Sequence, residues 1–175
     1  MDIKDAIQFI TQDSLSTKNK KIWVDFGCGT GTFTLALASI LETQSMIYAI
    51  DSNSSALNKI PDNYNQVTIK KITADFVDTD LPVYQIDGVL MANSLHYVKE
   101  KEIFLSKLKS HLKKGSCFLI IEYDSNTSNI WVPYPIDFNA LKTLFLKLGY
   151  KNISKLNTRA SIYGNRQMYA ALIQP

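Results

Sequence analysis

Nine residues, Val24-Asp25-Phe26-Gly27-Cys28-Gly29-Thr30-Gly31-Thr32, restrict what this chain can fold into more than any other stretch. An apolar run from Lys21 to Phe26 predicts a strand, and Thr32 to Leu41, rich in Ala and Leu, predicts a helix. Between them stand three alternate glycines, which let the backbone turn tightly and leave it bare enough for a ligand to lie against the main chain. In open α/β sheets such a turn, at the carboxyl end of a strand, is where ligands bind. The spacing is G-x-G-x-G, and Thr32 stands where a dinucleotide fingerprint would carry its third glycine.

The remainder of the chain repeats the alternation. Helical spacing of Ile3, Ala6, Ile7 and Ile10 predicts a short amphipathic helix, and residues 13–20 a polar connection. Further strands are predicted at Ser45–Ile50, Val67–Ile72, Ile86–Met91 and Cys117–Tyr123. Helices are predicted from after Asp51 to before Pro61, over Ile103–Leu112 with Lys113, Lys114 and Gly115 as its basic end, and from about Asp137 to Gly149. Residues 124–136 read as a polar and aromatic loop. Two last strands, near 152–158 and 166–173, flank a turn around Gly164 and read as a hairpin. Strands alternating with helices predict a doubly wound α/β fold: a mostly parallel seven-stranded sheet with a C-terminal antiparallel hairpin and helices on both faces. Residues 1–175 are expected to form one domain, with 1–20 a short N-terminal helix and its connection.

Composition removes several function classes. No apolar run approaches the ~20 residues needed to span a bilayer, and the opening MDIKDAIQFI lacks the basic cluster of a secretory signal. The cysteines, Cys28 and Cys117, have neither metal-ligand spacing nor a disulfide framework, which suits a reduced, cytoplasmic setting. The net charge of +3 is unevenly spread: residues 1–95 carry 7 Lys+Arg and 11 Asp+Glu, residues 96–175 carry 12 and 5. Lys107, Lys109, Lys113 and Lys114 are expected to form the solvated face of one helix, and with no nucleic-acid-binding motif a nucleic-acid partner is disfavoured.

With Asp25 two residues ahead of Gly27, the loop reads D-x-G-x-G-x-G and resembles that of class I, Rossmann-like S-adenosylmethionine-dependent methyltransferases of the small-molecule type. The resemblance implies that Gly27, Cys28, Gly29, Thr30 and Gly31 lie against the methionine end of S-adenosylmethionine, with Asp25 helping to hold its ammonium group. Asp51 ends the second strand twenty residues after Gly31, where a carboxylate accepts hydrogen bonds from both ribose hydroxyls, with Ser52 beside it. An Asp there also makes a good helix N-cap. Ala74-Asp75-Phe76 is similar to the family's adenine-binding segment, in which the Asp accepts the adenine amino group and the next N–H reaches the ring. Asp87 to Val98 resembles the family's D-x-[IV]-x-x-x-x-x-L-H-x-[VL] run, which implies that Ala92 and Asn93 lie near the cofactor while Asp87 is structural.

Methyl transfer demands alignment more than acid–base chemistry, so a missing triad is no objection. His96 is the one imidazole placed to act as a catalytic base, with packing beside the cofactor as the other reading; His111 falls in the predicted basic helix. Tyr97, Tyr123, Trp131, Tyr134 and Tyr163 can build an aromatic wall for the acceptor, with Tyr123 and Trp131 favoured because they follow the fifth strand. Glu122 and Asp124 alternate across that strand's end and are not expected both to face the site. The N/D-P-P-[FYW] segment of amino-group methyltransferases acting on DNA or glutamine is absent, Asn93-Ser94-Leu95-His96 standing there, which disfavours adenine or protein glutamine as acceptor. The short cap implies an open site for a large or carrier-bound acceptor, or one completed by a second subunit of a homo-oligomer. Two other functions remain open: a catalytically silent cofactor-binding or assembly protein, and a nicotinamide-dependent oxidoreductase, which would want glycine near 32 and no acid at Asp75.

Overall fold

The computed structural model describes residues 1–12, 15, 18–80, 82–161 and 166–175. Its helices are α1 (Ile3–Ile10), α2 (Thr32–Ala38), α3 (Ser54–Leu57), α4 (Lys101–Leu108) and α5 (Phe138–Lys147). Its strands are β1 (Ile22–Phe26), β2 (Met46–Asp51), β3 (Asn63–Tyr64), β4 (Val67–Thr73), β5 (Ile86–Ala92), β6 (Leu112–Tyr123), β7 (Asn152–Ala160) and β8 (Gln167–Gln174). They form one sheet in the order β3-β4-β2-β1-β5-β6-β8-β7. The central five, β4 to β6, are parallel; β8 runs back beside β6, and β7 pairs antiparallel with β8.

The sheet has eight strands rather than seven because Asn63–Tyr64 pairs antiparallel with Val67–Thr68, a two-residue edge too short to leave a period-2 signal. The hairpin is present, but the turn around Gly164, and Tyr163 with it, lie outside the described residues.

Alternation along the strands divides the core. Val24, Phe26, Val89, Met91, Phe118 and Ile120 face α4 and α5, meeting Leu105, Leu141 and Phe145. Trp23, Leu90, Leu119 and Ile121 face α1 and α2, meeting Ala6, Phe9, Ala36 and Leu37. Each large apolar side chain so buried contributes roughly 1.5–3 kcal/mol. Local caps fix the helix starts: Asp2 accepts from the Asp5 N–H, Asn53 from the Ala56 N–H and Asp137 from the Ala140 N–H.

The largest departure from expectation lies after α4. The predicted basic end of that helix is instead a single 3-10 turn over Lys109–His111 followed directly by β6, which starts at Leu112. Lys113 and Lys114 therefore belong to a strand and share no helical face with Lys107 and Lys109. The β5–β6 register slips between Ile86 and Gly88, and Lys113 Nζ reaches Asp87 Oδ2 at 3.0 Å. Asp87 also accepts from the Ile22 N–H at 2.8 Å, so it braces the amino-terminal rim of the sheet, as its structural reading implies. His111 is half-buried, its Nδ1 2.8 Å from the Val83 carbonyl and its ring stacked on Tyr84. Among the described residues, no helix is long and apolar enough to cross a membrane.

Gly88 sits opposite Trp23 across β1 and β5, and a Cβ there would lie 2.4 Å from the indole. Gly88→Ala is predicted to destabilise the fold by roughly 1–3 kcal/mol, as overpacking a closed core does. A urea melt with an unchanged midpoint would contradict this packing.

Candidate functional site

The sheet order reverses between β1 and β5, and their carboxyl ends open a crevice of the kind in which α/β sheets bind ligands. Two cavities flank that crevice and share Gly27, at the end of β1, and Asn93, just past β5. One, of about 270 Å³, lies on the α1–α2 side and is lined by Asp25, Cys28, Gly29, Thr30, Ala92 and Tyr123, among others. The other, of about 540 Å³, is lined by Asp51, Ser52, Asp75, Phe76, Asp78, Ser94 and Tyr97, among others.

The glycine loop between them is built by backbone. Gly27 and Cys28 both donate to the Ile50 carbonyl, and Gly29 donates to Asp51 Oδ2 at 2.8 Å. Gly27, Gly29 and Gly31 all have positive φ, at 69°, 54° and 86°. A Cβ on Gly27 would lie 2.6 Å from that of Ser94, and one on Gly31 2.7 Å from Ile60, whereas Gly29 has nothing within 4 Å. Gly31 therefore serves the entry into α2 and lines neither cavity, while Gly29 is bare toward open space.

Asp25 is fully buried on the α2 side of β1. Its Oδ2 accepts from the Thr34 hydroxyl at 2.6 Å; its Oδ1 has no hydrogen-bond partner among the described residues. Burial pushes its carboxyl up to about 7, Thr34 pulls it down, and the nearby charge of Asp51 raises it further. A buried acceptor left without a partner on a cavity wall is one that a bound donor would satisfy. Asn93 Oδ1 and Ser94 Oγ are likewise buried and unpartnered among the described residues, and Asn93 holds the left-handed conformation at φ 55°. Burial and the carboxylates of Asp25 and Asp51 hold the Cys28 thiol far above its ordinary range, so it lines the wall as a neutral group.

On the second cavity Asp51 is no helix cap, that position belonging to Asn53. Its two oxygens accept from the Gly29 and Asn53 N–H groups, each at 2.8 Å, with lone pairs left over. Asp75 accepts from the Val77 N–H at 3.0 Å, and Phe76 is fixed by ring contacts to Phe26 and Phe104. Asp51, Asp75 and Asp78 line this cavity, and no cationic side chain does so among the described residues.

The remaining expected site residues divide. Tyr97 lines the second cavity and Tyr123 the first. Trp131, at 73% exposure, and Tyr134 line neither. The reason is local: Asn129 Oδ1 accepts from the Trp131 and Val132 N–H groups, closing a turn that projects Ile130 and Trp131 outward. Tyr134 instead donates its N–H to the His96 carbonyl. His96 is 2% exposed and lines neither cavity. Its Nδ1 lies 2.7 Å from Glu122 Oε2, and its backbone N–H donates to Glu122 Oε1 at 3.0 Å. Glu122 thus turns to the α4–α5 face and Tyr123 to the other, while Asp124 holds the Phe138 N–H and Lys155. Met168 and Arg159 escape sequence reading because they reach the cavity through strand pairing, and the Thr34–Asp25 and Glu122–His96 contacts escape it because they are tertiary. Alternation along β6 is the one local signal, and it places Glu122 on a face without naming its partner.

Fold and cavities together define a Rossmann-like α/β protein with two cavities at the carboxyl ends of its central strands. The methyltransferase domain family model matches residues 24–118, just over half of the chain, and the chain belongs to that family. An uncharacterized methyltransferase of Mycobacterium tuberculosis is 23% identical over 100 residues, 57% of this chain and 49% of that protein. The chain spans about half the length of the curated relatives it matches. A SAM-dependent methyltransferase from Archaeoglobus fulgidus superposes with a TM-score of 0.71 at 14% identity, over 99% of this chain and 94% of that one. The magnesium protoporphyrin IX methyltransferase of Synechocystis PCC 6803, solved with bound SAM, gives 0.67 at 13% identity over 97% and 77%. At such identities the likeness is one of fold.

Asp25 yields a pH signature. Its ordinary value is 3.8 and its folded value about 7, so folding takes up a proton. The stability supplied by the neutral carboxyl is complete below about pH 4 and is lost as pH rises through about 7, a total of a few kcal/mol. Asp25→Asn, which cannot ionise, should gain stability relative to wild type across that window. Urea melts of the ligand-free proteins near pH 4.5 and pH 8 test this; a difference that stays constant with pH would refute it.

Proposed function

We propose that the chain is an S-adenosylmethionine-dependent methyltransferase acting on a small-molecule or carrier-bound acceptor. The observation that carries this is the charge of the site. Among the described residues, three carboxylates and no cation surround the larger cavity, and Asp25 has an unpartnered oxygen in the smaller one. That environment suits a nucleoside bearing an ammonium and a sulfonium, and it repels the two phosphates of a nicotinamide dinucleotide.

The residues present fit the cofactor. Asp51 would take the ribose hydroxyls with the lone pairs that Gly29 and Asn53 leave. Asp75 and the backbone at Phe76 would meet the adenine edge, and Asp25, held by Thr34, the ammonium. Bound, such a cofactor supplies a methyl group on a cationic sulfur, given to a nucleophile as the S–CH3 bond breaks. The chain's own contribution is alignment: the bare backbone at Gly27 and Gly29 permits close approach, and Ala92 and Tyr123 border the space beside it. The burial of His96 and its grip by Glu122 support a positioning role beneath Tyr97 rather than direct contact with an acceptor proton.

Titration calorimetry with S-adenosylmethionine and, separately, NADH tests the reading. Wild type is expected to bind the sulfonium compound saturably and not NADH. Asp51→Ala should weaken that binding about 10- to 100-fold, the loss of one or two charge-assisted hydrogen bonds. No binding of S-adenosylmethionine or S-adenosylhomocysteine by folded wild type would sink the proposal. Turnover to S-adenosylhomocysteine with a panel of acceptors separates an enzyme from a silent binding protein.

A further inference from the structure

The smaller cavity extends well past the glycine loop, and its far wall is a row across three strands. Tyr123 on β6 pairs with Met168 on β8, and Met168 pairs with Arg159 on β7. Directly paired residues point to the same face of a sheet, so the three side chains line one strip, and all three border the cavity. At about 4.8 Å per strand, the strip runs roughly 10 Å from the phenol to the guanidinium. Its near part is aromatic and thioether, and Phe33 of α2 also lines the cavity. Its far end is the one cationic side chain among the described lining residues.

Arg159 is held in place rather than loose. Its Nη2 donates to Asp5 Oδ2 on α1 at 2.8 Å, among the described residues a single bond from a group that carries five N–H donors.

We propose that this strip is the acceptor pocket, and that the acceptor is a small molecule with an apolar, preferably aromatic, body whose carboxylate is anchored by Arg159. The inference rests on the methyltransferase reading above. The cofactor's own carboxylate is a poor candidate for Arg159. It sits one carbon from the ammonium assigned to Asp25 on β1, and β7 lies four strands away, roughly 19 Å along the sheet. An acceptor laid over Tyr123 and Met168 spans that gap, its anionic end at Arg159 and its nucleophile toward Ala92 and Asn93.

The test uses protein saturated with S-adenosylhomocysteine and titrated with carboxylate–amide pairs: benzoate and benzamide, 3-phenylpropionate and its amide, decanoate and its amide. At least one carboxylate should bind about tenfold or more tighter than its amide, and Arg159→Gln should erase that preference while Arg159→Lys keeps part of it. Asp5→Asn, which removes the competing carboxylate, should tighten carboxylate binding; a purely structural Arg159–Asp5 clasp would make both substitutions act in the same direction. Equal affinity for acid and amide in every pair overturns the proposal, as does Arg159→Gln weakening S-adenosylhomocysteine itself. Failure of wild type to bind S-adenosylhomocysteine, seen before any carboxylate is added, would instead remove the underlying reading.

Discussion

Three consecutive amides of the glycine loop end on two acceptors at the tip of β2. Gly27 and Cys28 share the Ile50 carbonyl, and Gly29 takes a carboxylate oxygen of Asp51. The last is a charge-assisted bond, about twice as strong as a neutral one. Much else follows from this clasp. It fixes the loop in a left-handed path that only glycine accepts without strain, delivers Gly31 to the start of α2, and so sets Thr34 against Asp25. It also separates the two cavities, since Gly27 is on the wall of both.

Charge is sorted across the molecule with the same economy. Three acids of the first half, Asp51, Asp75 and Asp78, stand on the cavity wall at the carboxyl rim of the sheet, which no cationic side chain lines among the described residues. The lysines of the second half are spent elsewhere: Lys113 on Asp87 at the opposite rim, Lys155 on Asp124 at the entry to α5, Lys147 on Glu102 between α5 and α4. Several of the unevenly spread charges thus have local duties within the fold. Asp87 ties the amino-terminal rim down through Lys113, while the cavity wall at the other rim keeps its acids.

How far the sequence revealed this depended on the range of each interaction. The glycine loop, Asp25, Asp51 and Asp75 were legible because each sits at a strand end within a local pattern, and the parallel order followed from strand–helix alternation. Residues joined through pairing were not. Glu122 lies twenty-six positions from His96, and Arg159 reaches the site only through the register of an antiparallel hairpin. Trp131 was misplaced for the opposite reason: a tight turn at Asn129 overrides the general tendency of residues after a strand to face the ligand. Lys113 and Lys114 read as a helix end because a basic run before glycine is a common helix stop, yet here β6 begins at Leu112 and Lys113 meets Asp87 from within the strand.

The return of β8 between β6 and β7 has a practical corollary. It sends the chain's last residue back to the rim remote from the glycine loop, where Asn152 Nδ2 holds the Pro175 carbonyl at 2.7 Å. Met1, by contrast, is part of the wall of the smaller cavity. The backbone at Met1 thus borders that mouth, whereas the backbone at Pro175 lies at the opposite rim. Surface immobilisation through the rim that holds Asn152 and Pro175 would therefore present the crevice outward, to whatever is flowed across it.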